Sequence, residues 1–203
     1  MDDEILTQGF KTKMRIVEAL NELTGEVPFD QVRVIDICER VHLARSSFYH
    51  HFCDKNAILQ WHSLTAYKAG VDETGRTLTW FEGHLVTTRA LERFRNLYYR
   101  AGIGTEFSAV RPTFVRHRIE TLIDTCKNWK HIEVTPLLDF QIHALACAEA
   151  ASSNRRYSGE LQMPAKEFCS YLETIVPREL YRALNEPTSP QKGNHGMLLN
   201  GTW

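Results

Sequence analysis

Two short amphipathic segments, residues 34–41 and 45–51, constrain the fold of this 203-residue chain most, because only three residues separate them. Apolar side chains recur in both at helical spacing. Those that can meet as one internal core are Ile37, Val41, Leu43, Phe48 and Phe52. Two short helices joined by so tight a turn have the dimensions of a helix-turn-helix.

The flanking residues add a helix on each side of this pair. The apolar pattern over residues 10–23 predicts a preceding helix, which Gly25 and Pro28 end. Asp54 is a suitable N-cap for a longer fourth helix that starts at about Lys55. The sequence therefore predicts a compact N-terminal unit of three helices followed by a long one.

The second helix of the pair leaves hydrogen-bonding side chains on its outer face. They are Arg45, Ser46, Ser47, Tyr49 and His50. A helix that enters the major groove uses side chains of this kind to contact base edges and phosphates. An ordinary solvated polar face is the alternative reading.

The run RSSFYHHFCDKNAIL resembles the signature of the TetR (tetracycline-repressor) family, in which an aromatic-Tyr-x-His-Phe stretch ends the recognition helix and a Lys opens the fourth helix. The segments VIDICERVHLA and IVEALNEL are similar to the family's second and first helices. The close resemblance covers residues 10–60.

Roles follow from this resemblance position by position. It implies that Arg45, Ser46 and Ser47 read the major groove. It also implies that Tyr49, His51 and Lys55 contact phosphates, with Lys55 aided by a helix N-terminus. With His50 on the exposed face and Arg33 at the start of the second helix, the predicted DNA-binding set is Arg33, Arg45, Ser46, Ser47, Tyr49, His50, His51 and Lys55.

Three positions depart from the family pattern. His42 replaces the glycine of the turn, so we expect it to adopt a left-handed conformation. Ala44 and Arg33 replace the hydroxyl residues that cap the third and second helices. A lost cap costs about 1 kcal/mol, so we expect a slightly loosened module.

The charge is unusual for a DNA-binding protein. The net charge is −1, and residues 1–60 contain seven Lys and Arg against ten Asp and Glu. Because DNA-binding domains are usually basic, the positive charge must be local, and a dimer would present it twice.

Helical periodicity continues beyond residue 60, with no sustained strand alternation. We expect helices near 55–73, 83–101, 106–129, 135–154 and 164–185, with Pro112, Pro136 and Pro164 in first turns. The predicted fold is all-α, with an N-terminal helix-turn-helix DNA-binding domain (residues 1–54) and a C-terminal helical ligand-binding and dimerisation domain (55–186). Residues 187–203 are expected to form a flexible tail.

Residues 137–151 are apolar around most of a helical circumference, so this helix must be covered on two sides. The resemblance implies that the last two long helices pair across a two-fold axis. The predicted dimer interface is Leu138, Ile142, Leu145, Phe168, Leu172 and Ile175. A core helix of a monomer is the alternative.

The resemblance also implies an effector pocket among the C-terminal helices. The aromatic and polar residues predicted to line it are Trp80, His84, Tyr98, Phe107, Phe114, His117 and Phe140. Each of them is equally compatible with a plain core position, and the ligand is left open.

Several classes of protein are disfavoured. There is no Gly-rich phosphate loop, nucleophile elbow or HExxH motif, so we expect no enzyme and no cofactor. His50 and His51 point about 100° apart on a helix, which argues against zinc near Cys53. Five cysteines without a CxxC pair, an acidic N-terminus and no apolar run of about 18 residues indicate a cytoplasmic protein.

The sequence thus predicts a homodimeric transcriptional regulator that binds double-stranded operator DNA. The leading reading is a repressor released by a small-molecule effector. The alternative is a regulator controlled by a protein partner, or an activator, without such an effector.

Overall fold

The N-terminal helices form where the apolar pattern predicts them. The computed structural model describes residues 8–102 and 105–185. For residues 100–102 and 105–111 it describes the backbone only. Helix α1 spans Gln8–Glu26, α2 Val34–Val41, α3 Arg45–His51 and α4 Lys55–Ala69. The bounds of α2 and α3 are those predicted. The predicted tail, residues 187–203, and the side chain of Phe107 lie outside the described residues.

Up to residue 185, where the described part of the chain ends, six further helices follow: α5 (Trp80–Arg93), α6 (Arg95–Gly102), α7 (Thr105–Asp124), α8 (Pro136–Tyr157), α9 (Ala165–Glu173) and α10 (Arg178–Asn185). Short 3₁₀ turns cover Phe29–Gln31 and Val71–Glu73, and a π-helical turn covers Thr125–Trp129. Over residues 8–102 and 105–185 there is no strand, which confirms the all-α prediction.

Two predicted helices are each split in the structure. The segment 83–101 breaks at Phe94, which leaves helical geometry (φ −106°, ψ 42°) and is buried. The segment 164–185 breaks before Pro177, which cannot continue a helix. Pro112 lies inside α7 rather than in a first turn, whereas Pro136 opens α8 as predicted.

Local sequence explains where several helices begin. The Asp54 carboxylate accepts a hydrogen bond from the Ala57 backbone N–H at 2.8 Å, which confirms the predicted cap of α4. The Thr135 hydroxyl accepts from the Leu138 N–H at 3.2 Å and caps α8 in the same way.

Two hydrophobic clusters form the interior. The first joins α1–α4 to parts of α5, α6 and α7, so it is continuous across the predicted boundary at residue 54. The second joins α7–α10 to Trp80. Helix α6 also contacts α1 directly, because the Leu97 backbone N–H donates to the Asn21 side-chain oxygen at 3.1 Å. Within the part of the chain that is described, no helix is both long and apolar enough to span a membrane.

Candidate nucleic-acid interface and regulatory cavity

The turn between α2 and α3 is tight and left-handed. His42 has φ 53° and ψ 51°, as its place in the turn predicts. The Leu43 N–H donates to the Cys38 carbonyl at 2.9 Å, which closes the end of α2. The Arg15 guanidinium donates to the Val41 carbonyl at 2.7 Å, so α1 also holds this end.

Helix α3 is anchored by one aromatic side chain and exposes the opposite face. Phe48 is fully buried, and its ring centroid lies 6.3 Å from that of Phe52, so both pack as predicted. The polar residues of α3 with exposed side chains are Arg45, Ser46, Tyr49 and His50, whereas Ser47 and His51 are partly exposed. The frame is therefore rigid and its polar face is free to contact a ligand.

Arg33, at the start of α2, pairs with Asp36 in the first turn of that helix. Its backbone N–H donates to the Asp36 carboxylate at 2.9 Å, and its guanidinium lies 2.5 Å from the other carboxylate oxygen. The Arg33 hydrogen bond lowers the pKa of Asp36 below its usual range. Neither Arg33, at the start of α2, nor Ala44, at the start of α3, makes a side-chain cap hydrogen bond, so the loosening expected from the lost hydroxyls stays a prediction.

The Lys55 ammonium points to backbone rather than outward. Its Nζ atom donates to the carbonyl oxygens of Phe29, Asp30 and Val32 at 2.7, 2.8 and 3.0 Å. It also lies 4.9 Å from the centre of the Phe29 ring. Lys55 thus holds the segment before Arg33 against the start of α4.

The local positive charge is small. Arg40 is paired with Glu22 and Glu26 at 3.0 and 2.9 Å on the α1–α2 side. Arg45 lies exposed at the start of α3, where no ion pair with another described residue forms. Arg45 is therefore the cation best placed to approach a phosphate or a base edge.

A second candidate site lies among the C-terminal helices, as a cavity of about 60 Å³. Three of the predicted pocket residues line it, namely His84, Tyr98 and Phe114. Sequence reasoning missed two charged residues of the lining, Arg118 and Glu149. Glu149 is the one polar residue of the stretch 144–151 in α8, and this was the signal for the second of them.

These charged residues form a buried network. Arg118 Nε lies 2.8 Å from Glu149 Oε2, and His84 Nε2 lies 3.1 Å from Glu149 Oε1. Arg118 also donates to the Val71 carbonyl at 2.7 Å. Burial would raise the pKa of Glu149, but Arg118 and His84 outweigh it and hold the pKa at about 2.

The other predicted pocket residues lie elsewhere. Trp80 is buried, does not line the cavity and stacks on the His84 ring at 3.6 Å between centroids. His117 binds Asp72, with Nε2 and Oδ2 2.8 Å apart. Phe140 is 69% exposed on the surface of α8 and does not line the cavity, contrary to the prediction.

A buried hydrogen-bond group connects the cavity to α4. The Tyr98 hydroxyl on α6 lies 2.7 Å from His62 Nδ1 and 2.9 Å from Ser63 Oγ, both on α4. Burial, with a smaller effect of Arg93, lowers the pKa of His62 to about 3, so its ring is neutral. Tyr98 and Ser63 both line the cavity.

The structure corrects which side chains of the predicted dimer interface face outward. Five of its residues are at most 5% exposed inside the second core: Leu138, Ile142, Leu145, Phe168 and Leu172. Only Ile175 is exposed, at 45%. Buried side chains cannot form a contact surface, so the outward stripe is a different one.

That outward stripe is also apolar and follows helical spacing. On α8 it consists of Leu137, Phe140, Ala144, Cys147 and Ala151. Tyr171 and Ile175 are exposed on α9. We call these seven residues the α8–α9 stripe. Both stripes of α8 repeat every three or four residues, so the pattern could not decide which faces inward.

Residues 16–60 match the N-terminal family described as bacterial regulatory proteins, tetR family. Among solved structures, the dihydroxyacetone kinase operon activator DhaS is similar over 86% of this chain and 98% of its own, with a TM-score of 0.65 and 16% sequence identity. Salmonella enterica GusR covers 85% of this chain and 98% of its own, with a TM-score of 0.43 and 17% identity. No curated protein sequence matches the chain.

Proposed function

We propose that this chain, whose residues 16–60 match the N-terminal family described as bacterial regulatory proteins, tetR family, binds operator DNA as a homodimer through α2 and α3. The observation that carries the proposal is the polar face of α3, exposed on a frame fixed by the buried Phe48 and by the left-handed turn at His42. Residues 1–54 form the DNA-binding unit, and residues 55–186 regulate and dimerise. The protein acts as a regulator rather than an enzyme, in the cytoplasm, where operator DNA is found.

Within this interface the side chains have different tasks. Arg45 and Ser46, with Ser47, read base edges from the start of α3, and Tyr49 contacts phosphate. His50 and His51 lie at the end of α3, where they reach the backbone of the DNA. Arg33 presents a guanidinium at the start of α2. Lys55 holds the segment that precedes Arg33 through hydrogen bonds to three backbone carbonyls.

Dimerisation uses the α8–α9 stripe in place of the residues predicted from sequence. Phe140 and Leu137 are 69% and 61% exposed, which is unusual for two large apolar side chains on one helix. The small residues Ala144, Cys147 and Ala151 allow a second helix to approach closely. A two-fold pair then places two copies of α3 on one face for successive major grooves.

We further propose that the protein is a repressor released by a small effector bound in the cavity. Occupancy there would shift α4 through Tyr98 and thereby change the spacing of the two α3 helices. The second candidate is an activator or a partner-controlled regulator. DhaS, which shares the fold at 16% identity, is an operon activator, and this is the reason to keep the second candidate.

The test is binding to DNA from upstream of the protein's own gene, measured by fluorescence anisotropy against salt. Arg45→Ala should weaken selective binding about 10- to 100-fold, while its unfolding midpoint stays unchanged. Arg178→Ala removes an equally exposed arginine from α10 and should bind like wild type. Equal loss in both variants, or no selective binding by folded wild type, would contradict the proposal.

A further inference from the structure

The outward face of α8 carries large apolar side chains at one end and small ones at the other. Leu137 and Phe140, in the first two turns, are 61% and 69% exposed. Ala144, Cys147 and Ala151 follow at helical spacing and are also exposed, but their side chains are small. The face therefore consists of a protruding half, residues 137–140, and a flat half, residues 144–151.

An open groove of about 650 Å³ lies between α7 and α8, beside the flat half. Cys147 and Ala151 belong both to the lining of this groove and to the outward face, so the two surfaces are continuous. From α7, the partly exposed side chains of Val115 and Ile119 add apolar surface to the lining. We call this hollow the α7–α8 groove.

Two-fold symmetry limits how such a face can meet a second copy of itself. In a two-fold interface, if residue i contacts residue j of the partner, then j contacts i. A parallel pair of α8 helices would set the two protruding halves against each other and leave the two flat halves apart. An antiparallel pair sets each protruding half against the flat half of the partner, so large side chains meet small ones at both ends.

The spacing of these residues locates the symmetry axis. Leu137 and Ala151 are each seven positions from Ala144, and Phe140 and Cys147 are four and three positions from it. An axis at Ala144 therefore sets Phe140 one position from Cys147 of the partner subunit. Because residues seven apart lie on nearly the same face of a helix, both point towards the pairing surface.

The charges beside the groove agree with this register. Arg116 lines the groove and forms no ion pair with another described side chain. Asp139 is 49% exposed and lies 3.6 Å from His143 of its own chain. An axis at Ala144 sets Asp139 at the level of residue 149 of the partner, between the two groove residues of α8. Glu120, the carboxylate of the lining, lies one turn further along α7.

Building on the proposed homodimer, we propose that the α8 helices pair antiparallel about Ala144 and that Phe140 of each copy enters the α7–α8 groove of the other. The ring packs against Cys147 and the apolar wall from α7, and Asp139 faces Arg116 of the partner subunit. The occupant of the groove is thus a second copy of this chain, and the interface extends beyond the α8–α9 stripe to α7.

The native Cys147 allows a direct test by disulfide crosslinking of the full-length protein. A disulfide forms only where the two Cα atoms approach within about 7 Å. Under mild oxidation, Phe140→Cys should give a covalent dimer, with a bridge between positions 140 and 147 identified by mass spectrometry of its peptides. Wild type should give none, because its two Cys147 residues would be six positions, or about 9 Å, apart along the helix axis.

Three further variants control this result. Ala144→Cys keeps Phe140 in place and should crosslink to itself at the axis. Phe140→Cys/Cys147→Ala, and Val27→Cys at an exposed position of the N-terminal unit, should give no covalent dimer. A bridge between the two substituted positions 140 would show a parallel pair and overturn the proposal. So would the absence of a bridge in both Phe140→Cys and Ala144→Cys when sedimentation shows them to be dimers.

A charge exchange tests the groove without a new cysteine. Arg116→Glu should weaken dimerisation about two- to fivefold in sedimentation equilibrium, and Arg116→Glu/Asp139→Arg should recover it. Arg178→Glu, which reverses an exposed arginine on α10, should dimerise like wild type. A double variant as weak as Arg116→Glu, or wild-type dimerisation by Arg116→Glu, would overturn the placement of Asp139 beside the groove.

Operator binding separates this proposal from the function on which it rests. Selective DNA binding by a dimer that forms neither predicted bridge refutes the antiparallel register alone. Both bridges in a protein that selects no DNA refute the DNA-binding function and leave the interface standing.

Discussion

The α3 surface and the C-terminal cavity use polar side chains in opposite ways. On α3 the polar groups are exposed, and the buried Phe48 fixes the backbone beneath them. In the cavity, Arg118 and Glu149 are 4% and 7% exposed and depend on each other. Substitution on α3 therefore changes binding at little cost in stability, whereas substitution in the cavity network changes stability first.

The largest effect is expected where one partner of the buried network is removed. Arg118→Met leaves Glu149 buried without its main counter-ion and should lower the free energy of unfolding by about 3–5 kcal/mol. Urea denaturation measures this loss. The Arg118→Met/Glu149→Met double variant should recover much of it, and the exposed control Arg178→Met should lose almost nothing. A loss of under 1 kcal/mol in Arg118→Met would remove the contrast between the two regions.

The α8–α9 stripe extends the comparison, because it is exposed and apolar. Phe140→Asp should weaken dimerisation by about 2–4 kcal/mol and yield monomers in sedimentation at micromolar concentration, with α-helical content intact. Val27→Asp, at another exposed apolar position on the N-terminal unit, should remain dimeric. A dimeric Phe140→Asp protein would show that a different surface pairs the chains.

The buried His62 predicts that the stability of the fold depends on pH. In the unfolded chain its ring takes up a proton near pH 6.5, whereas in the folded protein burial holds its pKa at about 3. The stability is therefore complete above pH 6.5 and falls towards pH 3, by about 1.4 kcal/mol per pH unit. Urea denaturation from pH 7 to 5 measures this slope.

His62→Gln should flatten that slope, and His50→Gln, on the exposed face of α3, should leave it unchanged. An identical slope in wild type and His62→Gln would show that other groups cause the loss.

The smallest effect separates two roles for Lys55. Because its ammonium binds three carbonyls, we expect Lys55→Met to lower the free energy of unfolding by about 1 kcal/mol and to leave the salt dependence of DNA binding unchanged. A phosphate contact would instead reduce the slope of log affinity against log salt by about one. Arg45→Ala is the matched comparison, since a direct contact should reduce the slope.

The N-terminal unit could be predicted closely because its information is local. The bounds of α2 and α3, the left-handed His42 and the Asp54 cap follow from neighbouring residues. The Lys55 contacts could not be predicted, since they join residues more than 20 positions apart.

The C-terminal half could be predicted only as helical. Arg118 and Glu149 meet across 31 positions, and no local pattern specifies that contact. On α8 both Leu138 and Phe140 belong to apolar stripes, and only tertiary packing decides that the first faces inward. The break at Phe94 likewise depends on how each half-helix packs. The break before Pro177 is indicated by the sequence itself, because a proline cannot continue a helix.

Hydroxyl-radical footprinting on a DNA site selected by the wild-type protein tests the central claim most directly. A dimer that reads DNA through α3 should protect two patches related by a two-fold axis, with centres about 34 Å apart, one helical turn of DNA. Phe140→Asp should lose the paired pattern, and Arg45→Ala should lose protection at both patches together. A single patch, or no protection by a protein shown to be folded, would contradict a dimer that reads DNA through α3.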